Sequence, residues 1–271
     1  MTTRITFHGV SCYSITSPAG HVLVDPFLTG SASADVGPDE VGDPDVVLVS
    51  HAAWDHMADA APVARRTGAP VVCGTDTALL LAEAGVPEAQ LRRTVWGIRV
   101  RVGATVVHPV FCAHWSQATL ADGRVVTGTP MAFVVETEPG VSVYHFGDSA
   151  ITKEMELIGA LHRPTVGLLG VTQPWSLVAP GGGEVVTGEM TPAEAALAAE
   201  MLGVRYAVAT HYEDADHPDV AAFLAAVPAR DTTGTRVPLA LRPGETLVLD
   251  GDGHRVEAPD HRAGRPGPGE A

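Results

Sequence analysis

Basic side chains are scarce in this chain of 271 residues: 17 lysines and arginines face 32 aspartates and glutamates, the formal charge is −15, and Lys153 is the single lysine. Such a surface repels polyphosphate, which argues against a nucleic-acid partner; otherwise the acidity serves solubility. Cysteine is rarer still. Cys12, Cys73 and Cys112 are odd in number and lack the paired spacing of a structural zinc site, so they read as buried or half-buried thiols of a reducing compartment. No stretch approaches the roughly 18 uninterrupted apolar residues of a membrane span. Met1 to Val10 carries Arg4 and His8 without a long apolar run, so no signal peptide is expected and the expected location is the cytoplasm. A serine nucleophile elbow, a P-loop and a dinucleotide fingerprint are all missing.

What is present suits one sizeable globular domain, since 45% of the residues are hydrophobic and the length allows a real core. The chain opens with β-type runs at Arg4–Phe7, Tyr13–Thr16 and His21–Asp25, followed by a loop over 29–45 rich in Gly, Ser, Asp and Pro. Val46-Val47-Leu48-Val49 reads as a buried strand ending at Ser50-His51. Ala58–Thr67 and Thr75–Ala84 have helical composition, with a strand at Pro70–Cys73 between them, which is the alternation of a layered α/β fold. Short β runs fill Arg99 to Phe146, with turns at Ala121-Asp122-Gly123 and Glu138-Pro139-Gly140. A helix is expected over Lys153–Leu161, a strand at Val166–Val171, and a flexible loop over Gln173–Met190. Thr191-Pro192-Ala193-Glu194 is a helix start, with Thr191 as N-cap, Pro192 at the first helical position and Glu194 closing a capping box. That helix stops at Gly203, and Tyr206–Ala209 is a strand delivering His211. Leu247-Val248-Leu249 reads as the last strand. Residues 1–256 are expected to form the domain and 257–271 a disordered tail.

The densest chemistry lies in Ser50-His51-Ala52-Ala53-Trp54-Asp55-His56, where two imidazoles and a carboxylate follow an apolar strand within six residues. Imidazole and carboxylate together suit zinc, manganese or iron. His114, Asp148 and His211 each sit just beyond the end of another expected strand, and ligands converging from the same ends of several strands are how open α/β folds build sites. Trp54 and Trp115 adjoin this set, and Trp175 lies in Gln173-Pro174-Trp175-Ser176. The three tryptophans are candidates for an aromatic wall of a substrate pocket, with core packing as the alternative. Tyr212, beside His211, is a candidate hydrogen-bond donor to a developing oxyanion, core packing again being the alternative.

Six blocks in this order resemble the metallo-β-lactamase superfamily, in particular the branch of L-ascorbate-6-phosphate lactonase and related metal-dependent hydrolases. They are Leu23-Val24-Asp25-Pro26-Phe27-Leu28, Ser50 to His56, Ala113-His114-Trp115-Ser116, Phe146-Gly147-Asp148-Ser149, Met190 to Ala196 and Ala209-Thr210-His211-Tyr212. The resemblance implies a four-layer αββα sandwich with the site at one edge between two sheets. It also implies two metal sites. One would draw on His51, position 53 and His114, the other on Asp55, His56 and His211, with Asp148 bridging both. Position 53 is Ala53, which cannot ligate. The first site therefore keeps two imidazoles and a share of one carboxylate, while the second keeps four protein ligands. Related sequences also carry a Gly-His pair where this chain has Gly9-Val10. Alternation along a strand puts His8 on the face of Val10, leaving His8 as a stand-in ligand, a pocket-lining residue or an ordinary surface residue.

The expected activity is therefore hydrolysis of a small-molecule lactone, ester or amide with one or two divalent ions per chain, Zn or Mn foremost and Fe as an option. A bound ion lowers the pKa of its water from about 15.7 towards 7, and Asp148 or Asp55 would orient that nucleophile and shuttle its proton. Two other readings stand beside it. One is a non-hydrolytic redox or rearrangement enzyme on Asp55, His56, Asp148 and His211; the other is a metal-free binding protein that kept the fold. A homo-oligomer is open.

Overall fold

The computed structural model describes residues 2–172, 189–251 and 253–259. The chain begins as an antiparallel meander of β1 (Thr2–Gly9), β2 (Cys12–Ser17) and β3 (Gly20–Val24). After the long loop, β4 (Val46–Leu48), β5 (Val71–Cys73) and β6 (Leu91–Arg93) extend the same sheet in parallel. The connections hold α1 (Trp54–Met57), α2 (Ala60–Thr67) and α3 (Thr75–Glu83). The one helix expected over Ala58–Thr67 is thus preceded by a separate short turn carrying Asp55 and His56. The break falls at Asp59, whose carboxylate accepts hydrogen bonds from the Leu28 and Thr29 amides and the Thr29 hydroxyl instead of serving a straight helix.

The second sheet is built from β7 (Val100–Val102), β8 (Thr105–Phe111), β11 (Met131–Glu138) and β12 (Val141–His145), all antiparallel. Between β8 and β11 a small hairpin of β9 (Gln117–Thr119) and β10 (Val125–Thr127) stands apart. Parallel additions follow: β13 (Val166–Gly170), β14 (Tyr206–Thr210) and β15 (Val237–Leu239), with α4 (Glu154–His162), α5 (Pro192–Leu202) and α6 (Pro218–Arg230) covering them. The chain then returns to the first sheet, where β16 (Thr246–Asp250) pairs with β1 and β17 (Gly253–Glu257) with β16. Among the described residues the orders are β17-β16-β1-β2-β3-β4-β5-β6 and β15-β14-β13-β12-β11-β8-β7.

Side-chain alternation explains the layering. Val46 and Leu48 join Val22, Val24 and Val72 in the core between the sheets, while Val47 and Val49 join Leu23, Val71 and Cys73 against Ala60, Val63, Ala64 and Leu81 of α2 and α3. A parallel strand covered on both faces must be apolar at every position, which is why residues 46–49 read as an unbroken run. α4, α5 and α6 cover the outer face of the second sheet through Ile158, Ala195, Ala199 and Phe223. The result is the expected αββα sandwich. The cap of α5 is also as read: the Glu194 amide donates to Thr191 Oγ1 at 3.4 Å, the Thr191 amide donates to Glu194 Oε2 at 2.8 Å, and Gly203 closes the helix with φ 68°.

One expected element needs correction. Leu247-Val248-Leu249 is not the last strand, because β17 follows and its backbone pairs along β16 from Asp250↔Gly253 to Thr246↔Glu257. That strand ends one residue past the expected 256 boundary, and the remainder of the tail from 260 on lies outside the described residues. The helix α6, by contrast, is an element for which no expectation was formed. Of the loop expected at Gln173–Met190, residues 173–188 also lie outside the described residues. Among the described residues, no helix is long and apolar enough to cross a membrane.

Candidate metal centre

Each strand that faces the sheet junction hands over a polar residue shortly after it ends. β4 leads to His51 and to Asp55 and His56 on α1, β8 leads to His114, β12 to Asp148, and β14 directly to His211. All except the half-buried His114 are shielded from solvent. Asp148 and His211 adopt left-handed backbone, with φ 63° at both, and Asp25 does so at φ 44°. A non-glycine residue there costs of order 1–3 kcal/mol, and such strain persists where surrounding contacts over-determine the geometry. Those contacts are visible. The His211 amide donates to Val10 O at 2.8 Å, and the Val10 amide to Tyr212 O at 3.2 Å. The Asp148 turn is tied to the His114 loop through Ala113 N to Ser149 Oγ and Ala150 N to Ala113 O. Gly147 precedes Asp148 with φ 58°, and a Cβ there would lie 2.3 Å from Met131 O, so no other residue fits that turn.

Donor atoms gather into two sets that share Asp148. Asp55, His56, Asp148 and His211 form one, and His51, His114 and Asp148 the other; in each, the ligand atoms lie within 4.8 Å of one another. In the four-residue set, His56 Nε2 is 2.9 Å from Asp148 Oδ2 and 3.6 Å from Asp55 Oδ2, while His211 Nε2 is 3.3 and 3.9 Å from the same two oxygens. Donors held about 2.0–2.2 Å from a tetrahedral ion lie about 3.4 Å apart, the middle of that range. His56 Nε2, His211 Nε2 and Asp148 Oδ1 are buried and make no hydrogen bond among the described residues. Buried polar atoms left in this way are costly unless something else takes them up. Two imidazoles and two carboxylates aimed at one point fit a divalent ion of the zinc, manganese or iron type. The smaller set is three donors, with His51 Nε2 3.9 Å from Asp148 Oδ2 and the His51 and His114 rings 4.8 Å apart. Ala53 lies at the start of α1 and offers no donor.

Partners behind the donors fix their direction. His56 Nδ1 is 2.8 Å from Asp25 Oδ2, and Asp25 also accepts from the Ser50 amide and hydroxyl, both at 2.7 Å. With its Nδ1 proton on Asp25, His56 presents a lone pair at Nε2, the carboxylate–histidine arrangement that orients metal-binding imidazoles. Ser50 Oγ is also 2.9 Å from His51 Nδ1, so the same carboxylate steers both rings. His211 Nδ1 is backed by Glu189 Oε2 at 3.2 Å. Asp25 and Glu189 received no role from the sequence. Asp25 had a legible signal, since it follows β3 as His51 follows β4, whereas nothing in the sequence pointed to Glu189.

Charge separates the two sets. Burial alone would raise Asp148, but His211 and His56 outweigh it and hold the carboxyl well below its ordinary value. Burial alone would lower His56 and His211, but Asp148 and the neighbouring carboxylates hold both well above the ordinary histidine value. In the smaller set burial prevails: His51 is pushed down to about 3, with His56 adding to it, and His114 is lowered too. The four-donor set is thus a charged cluster and the other a pair of neutral imidazoles.

The remaining candidates divide. Trp54 and Trp115 line a cavity of about 260 Å³ over the donors, together with Ala53, Gln117 and Glu189. Trp175 lies outside the described residues. His8 is not brought to the donors: its Nδ1 is 2.8 Å from Asp35 Oδ1 and its Nε2 2.9 Å from Ser14 Oγ, so both nitrogens are engaged elsewhere and it cannot stand in for a ligand. Tyr212 is likewise turned away, its hydroxyl donating to Leu241 O at 2.6 Å and accepting from the Leu241 amide at 3.0 Å, with its ring against Phe7. That packing removes it as an oxyanion donor.

Known proteins share this fold and, by their names, a dependence on metal. The family model described as Beta-lactamase superfamily domain matches residues 21–212. The chain is 40% identical over 212 residues to a UPF0173 metal-dependent hydrolase of Rubrobacter xylanophilus, covering 78% of this chain and 81% of that one. A UPF0173 metal-dependent hydrolase of Nitratidesulfovibrio vulgaris is 33% identical over 261 residues, 92% of this chain and 97% of its own. Among solved structures, the metallo hydrolase Igni18 of Ignicoccus hospitalis aligns with a TM-score of 0.71 at 23% identity, covering 92% of this chain and 99% of that one, a likeness of fold. The chain belongs to the metallo-β-lactamase superfamily. Within it, the relatives above carry the name of metal-dependent hydrolases.

Proposed function

We propose that the protein hydrolyses a small-molecule lactone, ester or amide with one well-formed metal site, held by Asp55, His56, Asp148 and His211. The observation that carries this reading is the convergence of His56 Nε2, His211 Nε2 and the Asp55 and Asp148 carboxylates, buried around one point in a set from which Ala53 has removed nothing. A divalent ion held by these residues would supply Lewis acidity and lower the pKa of water in the site. The residues do the rest. Asp25 and Glu189 keep His56 and His211 aimed inward. Asp148, which reaches both donor sets, holds the attacking water and takes its proton, with Asp55 completing the cluster. His51 and His114, neutral and short of a fourth partner, line the substrate side and hold a second ion weakly. No lysine or arginine is among the described residues lining the cavity, which disfavours a highly phosphorylated substrate.

Elemental analysis of protein purified without added metal or affinity tag tests this. About one zinc or manganese per chain is expected, and Ala53→His is expected to add a second. Two ions in the unaltered chain would refute the one-site design, one iron would bring the redox reading to the front, and no metal after incubation with each ion would refute the enzyme.

A further inference from the structure

Trp54 and Trp115 are large apolar side chains left in solvent, 54% and 69% exposed, beside a site whose other residues are mostly hidden. Exposed indoles at a polar pocket need a reason, because burying an aromatic ring is among the larger gains available to a fold. Neither is loose. The Trp54 ring packs edge-on against the buried Phe27 with centroids 4.7 Å apart. The loop carrying Trp115 is fastened by the next residue, Ser116, whose Oγ accepts from the Ala52 amide at 2.9 Å and donates to the buried Asp76. One hydrogen bond therefore links the two loops, and both tryptophans line the same cavity as Ala53.

Ala53 is where the superfamily motif has a histidine. With only a methyl group there, the part of the cavity that Ala53 lines stays open. Its charge is equally telling. No described lining residue is a lysine or arginine, so an anionic group finds no cation. Asp55, Asp148 and Glu189 line the cavity but are paired with His56 and His211, so their negative charge is already met within the donor cluster. At about 260 Å³ the space is below the roughly 300–1,000 Å³ of drug-sized pockets and suits a single ring beside the scissile bond.

We propose that Trp54 and Trp115 form a clamp for an uncharged planar group of the substrate, seated in the space that Ala53 vacates, so that the missing ligand sets specificity. This rests on the hydrolase reading for the rest of the substrate, but its test does not require turnover. Tryptophan fluorescence of metal-free and zinc-loaded protein is titrated with benzamide, acetamide, benzoate and benzamidine. Benzoate and benzamidine match benzamide in shape but carry a charge, and acetamide lacks the ring. Benzamide is expected to bind at least about tenfold more tightly than acetamide in both forms, and than benzoate and benzamidine in the metal-free form, where no ion recruits the carboxylate. Trp54→Ala and Trp115→Ala are each expected to weaken benzamide about three- to tenfold, the range of aromatic contacts, with zinc content unchanged. Ala53→Leu, which fills the space, is expected to abolish its binding at the same zinc content. Benzoate or benzamidine binding as tightly as benzamide would overturn the proposal, as would benzamide affinity unmoved in both tryptophan variants. Failure of zinc-loaded protein to hydrolyse phenyl acetate and a lactone panel strikes the hydrolase reading alone, and the benzamide result stands apart from it.

Discussion

Asp25→Asn tests the centre from behind. The substitution keeps the side chain's shape and its acceptor for the Ser50 amide, but puts an NH2 group where Oδ2 accepts from Ser50 Oγ and faces His56 Nδ1. A donor then meets a donor. His56 resolves the conflict by moving its proton to Nε2, into the position from which it would bind metal. Loss of such a supporting partner typically weakens metal binding 10–100-fold, and reversal of the tautomer places this case near 100-fold, about 2.7 kcal/mol. The carboxylate's charge is lost as well. Burial alone would raise Asp25, but His56 and His145 hold it below its ordinary value, so it is ionised whenever the protein is folded near neutral pH. Competition against a fluorescent zinc chelator near neutral pH measures the effect, with circular dichroism of the chelated forms separating loss of metal from loss of fold. Zinc affinity within about twofold of the unaltered protein, in a folded variant, would refute the reasoning.

Metal uptake and stability should respond to pH in opposite ways. In the metal-free protein, carboxylates outweigh burial and raise His56 and His211, so their pairing stabilises the fold fully below the unfolded value of about 6.5 and is lost as pH rises through the raised folded values. Metal must displace those protons, so zinc affinity climbs over the same window. Melting curves from about pH 6 to 9 are expected to fall with chelator present and to hold with zinc, and parallel curves would contradict the assignment. The thiols give a third test. Burial raises Cys12 and Cys112 and pushes Cys73 up to about 12, and all three are free. An aromatic disulfide reagent should therefore label none in the native protein and all three after denaturation; one fast-reacting thiol in the native state would count against this packing.

The sequence was informative where local rules decide structure. Val46 to Val49 is apolar at every position because both faces of β4 are covered, and Thr191 to Glu194 carries its own cap. The six donors were visible because each follows a strand closely. Residues that act from other elements were not. His8 shares a strand face with Val10, yet nothing local shows that Asp35 and Ser14 take both its nitrogens. Tyr212 adjoins a donor, but its direction is set by Leu241, far along the chain. Helix α6 begins with Pro218 after His217, a sound start signal, and a second proline, Pro228, near its end obscured it. Alternation of hydrophobic residues also leaves unstated which sheet a late strand joins, so the return of β16 to β1 was not legible.

The donors come from both halves of the sandwich, with consequences for the chain as a polymer. Asp55 and His56 follow a strand of the first sheet, whereas Asp148 and His211 follow strands of the second. An ion held by all four is a cross-link closing loops of roughly sixty and ninety residues, which in the chain-entropy picture restricts the unfolded ensemble by about 4–5 kcal/mol per link of that length. With its three cysteines buried and unpaired, the described chain has no covalent staple of its own. The ion would then act as its reversible equivalent of a disulfide, one that works in a reducing environment and opens to a chelator rather than to a thiol.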